Sequence, residues 1–306
     1  MGVARSFDRL RRNIGGGLYK GLLTVLLLIW TVPFVFPIIV TVTHAFMSEK
    51  ELARELTPIS GDSSSMAGRM TEGNEFVQLS WIPLQATLNA FYDTLVGQPQ
   101  YLLLFWNSVK LTVPIVAGQL VVASMAGYAF SQLRFRLRKP LFFVYITVMM
   151  MPLQVTLVPN FIMVKRLGLF NSDWSIILPG IFGAFGVFLM RQFMQAVPYA
   201  YIEAARMDGA GHKTIMIRIV LPMCRSGLAA LAILTFIDNW NLVEQPLVFL
   251  QDAFRQPLSV YLTAINEKDR AIAFAASVLY MMPAILLMMY AENDLIEGIQ
   301  TSGIKG

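Results

Sequence analysis

Cysteine and histidine are nearly missing from this chain of 306 residues. The single cysteine, Cys224, excludes an internal disulfide and a Cys-rich zinc site. The two histidines, His44 and His212, stand too far apart in sequence to suggest a metal centre. Charge is scarce as well: Asp, Glu, Lys and Arg make up 14% of the residues against 56% hydrophobic ones, which describes a protein whose main solvent is lipid. No glycine directly precedes a Lys-Ser or Lys-Thr pair, so the Gly-x4-Gly-Lys-Ser/Thr phosphate cradle for a nucleotide is missing. A membrane-embedded enzyme would need convergent Ser/His/Asp groups or paired intramembrane His and carboxylates, and His44 stands alone at an outer boundary. No internal repeat is evident, and no soluble catalytic domain is attached. A net charge of +5 could signal nucleic acid. In a membrane protein, however, basic residues record orientation, so no nucleic-acid partner is expected.

What is present is a series of apolar runs long enough, at about 20 residues each, to cross a bilayer as helices. They cover roughly 21–46, 103–130, 140–164, 175–197, 225–250 and 271–291. Residues 18–46 exceed a signal-peptide core and show no small-residue cleavage site, so they are expected to remain as a span. The expected fold is all-α and polytopic, with six transmembrane helices and both termini on one side. Basic residues choose that side. Arg5, Arg9, Arg11, Arg12 and Lys20 crowd the tail 1–20, and Arg134, Arg136, Arg138 and Lys139 crowd the second-to-third connection. Both belong in the cytoplasm, and alternation puts 198–224 there too, with Arg206, Lys213, Arg218 and Cys224. The segment 48–102 falls outside, where Glu49, Glu51, Glu55, Asp62, Glu72, Glu75 and Asp93 outnumber Lys50, Arg54 and Arg69. The tail 292–306, with Glu292, Asp294 and Glu297 before Lys305, adds no support. The domain reading is thus a tail 1–20, a transmembrane domain 21–291 and a tail 292–306.

Within the outer segment, Thr57 to Glu75 reads as a mobile linker. Phe76 to Leu104, with Trp81, Tyr92, Tyr101 and Trp106 on either side of its end, is expected at the membrane surface, as an aromatic belt or a contact for an external partner. Apart from Arg191 and Arg225 toward the cytoplasmic ends of their spans, Lys110, Asp238 and Glu244 carry the charge inside the apolar spans, and charge there is costly enough that it should face a cavity or a protein partner. Asp238-Asn239-Trp240-Asn241 lies roughly 24 Å along the fifth helix counted from Pro222. Amides and a carboxylate beside an indole suit a polyhydroxylated solute, the polar groups bonding hydroxyls and the ring covering an apolar sugar face. The same residues could instead bond neighbouring helices, and Lys110 or Glu244 could snorkel to the interface. Pro33, Pro37, Pro114, Pro152, Pro159, Pro179, Pro246 and Pro283 favour kinks. Gly180, Gly183 and Gly186 permit close helix approach, and the methionines fill irregular core.

The connection 198–224 has its own pattern. Pro198 suits the first turn of a helix, Glu203 to Met207 form helix well, and Asp208-Gly209-Ala-Gly211 stops it. A second short helix is expected from about His212 toward Pro222, which would begin the fifth span. The product is a helix pair across the cytoplasmic end of the bundle. It fits either a ball for another protein's socket or an interfacial hairpin that caps the bundle.

Glu203-Ala204-Ala205, Gly209, Ile219 and Leu221-Pro222 resemble, spacing for spacing, the signature loop of ABC importer permease subunits. Phe188-Leu-Met-Arg-Gln-Phe193, Pro198 and Ala205-Arg-Met-Asp-Gly-Ala210 resemble the carbohydrate-uptake branch with its maltose-type inner-membrane subunits. Met151-Pro-Leu-Gln-Val-Thr-Leu-Val-Pro159, Leu167-Gly-Leu-Phe170, Trp240-Asn241, Pro246-Leu247 and Ser302-Gly-Ile-Lys-Gly306 extend the likeness over most of 103–306. Tyr199-Ala-Tyr-Ile202 and Leu242-Val-Glu244-Gln depart from it.

The resemblance implies a type I importer bundle in a bacterial or archaeal cell membrane, serving an ATP-driven importer of sugars or oligosaccharides. Its implied partners are a dimer of nucleotide-binding ATPase subunits, a second permease subunit forming a heterodimer, an extracytoplasmic solute-binding protein and membrane lipid. The chain itself would be no enzyme and hold no cofactor, ATP and Mg being bound by the ATPase. Glu203 would make a charged contact with that ATPase, Ala204 and Ala205 would pack in its cleft, and Gly209 would turn the chain, with Asp208, Ile219, Leu221 and Pro222 completing the motif. Ser302, Gly303 and Lys305 would reach into the ATPase dimer. The alternative is a proton-coupled secondary transporter using Asp238 and Glu244, against which the missing inverted repeat argues.

Overall fold

The computed structural model describes residues 2–56, 82–265 and 269–303, with side chains at 21–52, 82–265 and 269–291. Every regular element among the described residues is helical. In chain order these are α1 (Gly2–Ala45), α2 (Glu49–Leu56), α3 (Asn89–Tyr92), α4 (Pro99–Gln132), α5 (Arg138–Met149), α6 (Leu153–Arg166), α7 (Trp174–Ile181) and α8 (Ala184–Gln195). There follow α9 (Tyr199–Met207), α10 (His212–Ile215), α11 (Leu221–Met223), α12 (Arg225–Trp240), α13 (Glu244–Phe249), α14 (Leu258–Thr263) and α15 (Arg270–Gly303). The expected linker 57–75 lies outside the described residues.

Four stretches are long and apolar enough to cross a membrane: Gly21–Ala45, Pro99–Gln132, Trp174–Gln195 and Arg270–Ala291. Two of the expected spans are instead bent pairs. The run 140–164 breaks between α5 and α6, whose axes meet at 106°. The cause is Pro152, which has no N–H to donate and disfavours helical backbone at Met151. The run 225–250 ends as a helix at Trp240, and its lower end meets His212–Met223 at 79°. Pro222 therefore lies inside α11, and the fifth helix begins at Arg225 after a break at Cys224. Of the other prolines, Pro33, Pro37, Pro114, Pro159, Pro179 and Pro283 stay inside helices. The helices run beyond the apolar spans at both ends: α1 is helical from Gly2, and α15 continues through Gly303 without a break at residue 291.

The chain divides into two compact units, Met1–Thr94 with Glu267–Val278, and Leu95–Asn266 with Leu279–Gly306. In the first, Met47, Leu52 and Ala90 pack with Ala271 and Ala275. The His44 ring lies 5.1 Å from that of Phe274, and its Nδ1 is 2.8 Å from the Val40 carbonyl. His44 is thus a packed structural side chain. Within the described side chains of α1, residues 21–45, most of the apolar surface is exposed, as suits a helix meeting lipid.

In the second unit α4 is the axle against which α7, α8, α12 and α14 pack. Lipid tails are as apolar as leucine, so close packing must hold such helices together, and small residues supply it. A Cβ on Gly180 would meet Ile115 at 2.9 Å, and on Gly183 or Gly186 it would meet the Gln119 amide nitrogen at 2.5 or 2.7 Å. The expected close approach is therefore built by these glycines. Gly127 is the tightest case against unyielding atoms, with Met190 Cβ at 2.8 Å and the Arg191 backbone nitrogen at 3.0 Å. Gly127→Val should push α4 from α8 and cost about 1–3 kcal/mol, read as a lower melting temperature in mild detergent. An unchanged melting temperature would mean that this contact is slack.

Candidate functional site

Residues 199–223 fold as a hairpin of short helices. α9 ends in paired bonds from Gly209 N to Arg206 O at 3.0 Å and from Ala210 N to Ala205 O at 2.9 Å, with Gly209 at φ +79°. This double closure needs a residue that enters the left-handed region freely, which is why glycine stands there. α10 then starts at His212 and passes through a wide turn, Met216–Val220, into α11.

The hairpin is anchored by its inner face. Ile202, Ala205, Ile215, Val220 and Cys224 join Tyr128, Met190, Met194 and Leu231 in one buried cluster, with Ile219 and Leu221 packed against it. Tyr128 Oη lies 3.3 Å from His212 Nδ1, tying α4 to the start of α10. Arg206 donates to Tyr199 Oη at 3.1 Å, and Arg134 and Arg206 both approach the Tyr199 ring. Ala205 was expected to pack in a partner's cleft; it turns instead into the chain's own core, because it shares a helix face with Ile202. Glu203, Ala204, Asp208, Gly209 and Pro222 are exposed, together with Tyr201 and Met207, the last 88% exposed. The two exposed apolar side chains were missed from the sequence, although their position one turn either side of Glu203 and Ala204 was readable.

A second feature is a groove of about 530 Å³ between α4, α6, α7, α8 and α12. Its polar lining is Gln119, Thr156, Asn160, Thr235, Asp238 and Asn239. Measured from Arg225, Asp238 lies roughly 20 Å along α12. No hydrogen bond or ion pair to Asp238 is found among the described residues, whereas Asn239 donates back to Thr235 O at 2.8 Å. The groove thus brings Asp238 and Asn239 together with Gln119, Thr156 and Asn160, uncharged residues that a search for charge passes over.

The rest of the expected path separates from this groove. Trp240 is 2% exposed and stacks on Phe236 and Tyr280 at 5.2 and 5.7 Å, so its ring covers protein and not a solute. Asn241 bonds Ile237 O and accepts from Tyr280 Oη. Glu244 accepts from Gln154 Nε2 at 3.1 Å. Lys110 is exposed on α4 and does not line the groove. Ser302 and Gly303 end α15, their side-chain contacts lying outside the described residues along with all of Lys305.

The profile of the family described as binding-protein-dependent transport system inner membrane component matches residues 119–293. The arabinooligosaccharides transport system permease protein AraQ of Halalkalibacterium halodurans is 33% identical over 235 residues, 75% of this chain and 84% of AraQ. The lactose transport system permease protein LacG of Rhizobium radiobacter is 30% identical, over 64% of this chain and 73% of LacG. The sn-glycerol-3-phosphate transport system permease protein UgpE of Pectobacterium atrosepticum is 31% identical, over 65% of this chain and 73% of UgpE. Among solved structures, a chain of a bacterial ABC transporter that imports the acidic polysaccharide alginate superposes with a TM-score of 0.73. It is 23% identical, and the superposition covers 91% of this chain and 97% of that one.

Proposed function

The chain belongs to the binding-protein-dependent transport system inner membrane component family, and from that premise we propose that it is a membrane-spanning subunit of an ATP-driven sugar or oligosaccharide importer. Six crossings with cytoplasmic termini, four straight and two through the bent pairs, satisfy the charge distribution. A second permease subunit completes the path, and an extracytoplasmic binding protein delivers the solute. ATP and Mg²⁺ belong to an ATPase subunit, and this chain catalyses nothing.

The observation that carries the proposal is the two-faced hairpin. Ile202, Ala205 and Ile215 fasten it to α4, α8 and α12, and Glu203, Ala204 and Met207 remain outward for a partner. A hairpin fastened in this way moves as one body with the helices beneath it. Closure of a docked ATPase then biases the bundle between inward-open and outward-open packings by differential contact. The 530 Å³ groove supplies polar groups suited to hydroxyls on the solute's way through. Neither face of this arrangement calls for proton coupling through Asp238 and Glu244.

Affinity purification from mild detergent, mass spectrometry of the bound proteins and an ATPase assay test the proposal together. A nucleotide-binding subunit, a second permease and solute-stimulated hydrolysis are expected. A solitary chain, confirmed by crosslinking in intact membranes, would overturn it.

A further inference from the structure

The groove between α4, α6, α7, α8 and α12 contains one ionisable side chain, Asp238, and no Lys, Arg or His among its lining residues. The surrounding polar groups are uncharged: the Gln119 and Asn160 amides and the Thr156 hydroxyl, which donates to Leu153 O at 3.0 Å. The remaining walls are mainly apolar, with Val148, Met149, Met151, Phe182 and Phe185 among them. Asp238 is itself exposed at the groove surface and the lining offers no counter-charge, so its charge acts on whatever enters the groove. Lys110 and Glu244, the other charges expected to face a cavity or partner, do not line the groove.

We infer that Asp238 makes this groove a charge filter that repels anionic solutes, so that the cargo passing this subunit is an uncharged or amine-bearing polyol. The proposal rests on the permease assignment for the word cargo, but the filter itself is a property of the folded chain. An anionic cargo such as a sugar phosphate or a uronic-acid polymer would need a lining cation to offset the repulsion. The carboxylate instead suits hydroxyls, which donate to it, and the Gln119 and Asn160 amides suit both donors and acceptors.

The field is measured directly by thiol labelling of the full chain in its native membranes. The only native thiol, Cys224, is 2% exposed and is replaced by serine, and Thr156→Cys supplies one thiol on the groove wall. Reaction rates are compared for a trimethylammonium and a sulfonate methanethiosulfonate reagent of similar size. With Asp238 present the cationic reagent should react faster, and Asp238→Asn should reduce the cation-over-anion ratio by roughly tenfold. Asp238→Glu should keep the ratio, and Asp238→Ser gives the same reading if the asparagine variant fails to insert. A ratio that neither neutral variant changes would overturn the filter, whether because Asp238 is protonated there or because its field is screened. ATP-driven uptake of sn-glycerol 3-phosphate by the assembled transporter would overturn it as well. Labelling needs neither ATP nor partners, so failure of the importer assignment would appear in the purification experiment and leave the labelling ratio untouched.

Discussion

Gly209→Pro should abolish ATP-driven uptake while leaving the protein inserted, with ATP hydrolysis no longer responding to solute. Proline holds φ near −65°, whereas this position sits at +79°, so the ring cannot adopt the turn. Proline also removes the N–H that bonds Arg206 O, taking one of the two bonds that close α9. The graded series separates backbone from sterics, because an added Cβ at Gly209 meets nothing within 4 Å. Gly209→Ala should therefore cost only the left-handed conformation, about 1–2 kcal/mol, with a partial loss of coupling, and Gly209→Asn should cost less. Glu203→Lys supplies the companion test. Glu203 is exposed on the outward face of α9, so reversing its charge leaves the hairpin's own packing intact. Its effect then reports on partner docking alone. Uncoupled hydrolysis in both variants is the expected outcome in reconstituted vesicles, and wild-type uptake by Gly209→Pro would remove the hairpin from the mechanism.

The turn at Gly209 was legible because its cause is local: a glycine after a run of helix formers, with polar neighbours. The apolar spans were legible for the same reason, since each is a property of its own composition. The 106° bend between α5 and α6 was not, because Met149 to Leu153 is apolar on both sides of Pro152 and hydropathy is blind to direction. Proline alone does not mark a break, as Pro114 and Pro283 inside continuous helices demonstrate; tertiary contacts decide which proline ends a helix. The inward turn of Ala205 was partly readable. Ile202 and Ala205 are three residues apart and share a face, so the phase of the helix assigns one stripe to the core and leaves the next to Glu203, Ala204 and Met207. The groove was half visible, its carboxylate prominent by charge. Gln119 on α4 and the Thr156/Asn160 pair on α6 reach it only through helix packing, which no single stretch of sequence contains.

Trp240→Ala should destabilise the protein by about 3–5 kcal/mol, the range for removing a large buried aromatic. The ring is enclosed by Phe236, Tyr280 and, edge-on at 5.6 Å, Phe105. Its Nε1 donates to Tyr280 O at 3.1 Å, while Tyr280 Oη donates to Trp240 O at 2.8 Å, so two reciprocal bonds join the end of α12 to α15. Trp240→Phe keeps most of the stacking and loses one of these bonds, about 1 kcal/mol plus whatever the freed carbonyl cannot recover. Tyr280→Phe removes the other bond and the one to Asn241 Oδ1. Because the two residues share one contact, the double variant should cost less than the sum of the singles. Thermal unfolding in detergent gives these differences, and uptake measured on the surviving fraction gives solute preference. An aromatic that anchors helices changes the amount of folded transporter and not its choice of solute. A Trp240→Phe variant with unaltered melting temperature and altered solute preference would instead put the indole back on the path, beside the Asp238 groove from which its burial now separates it.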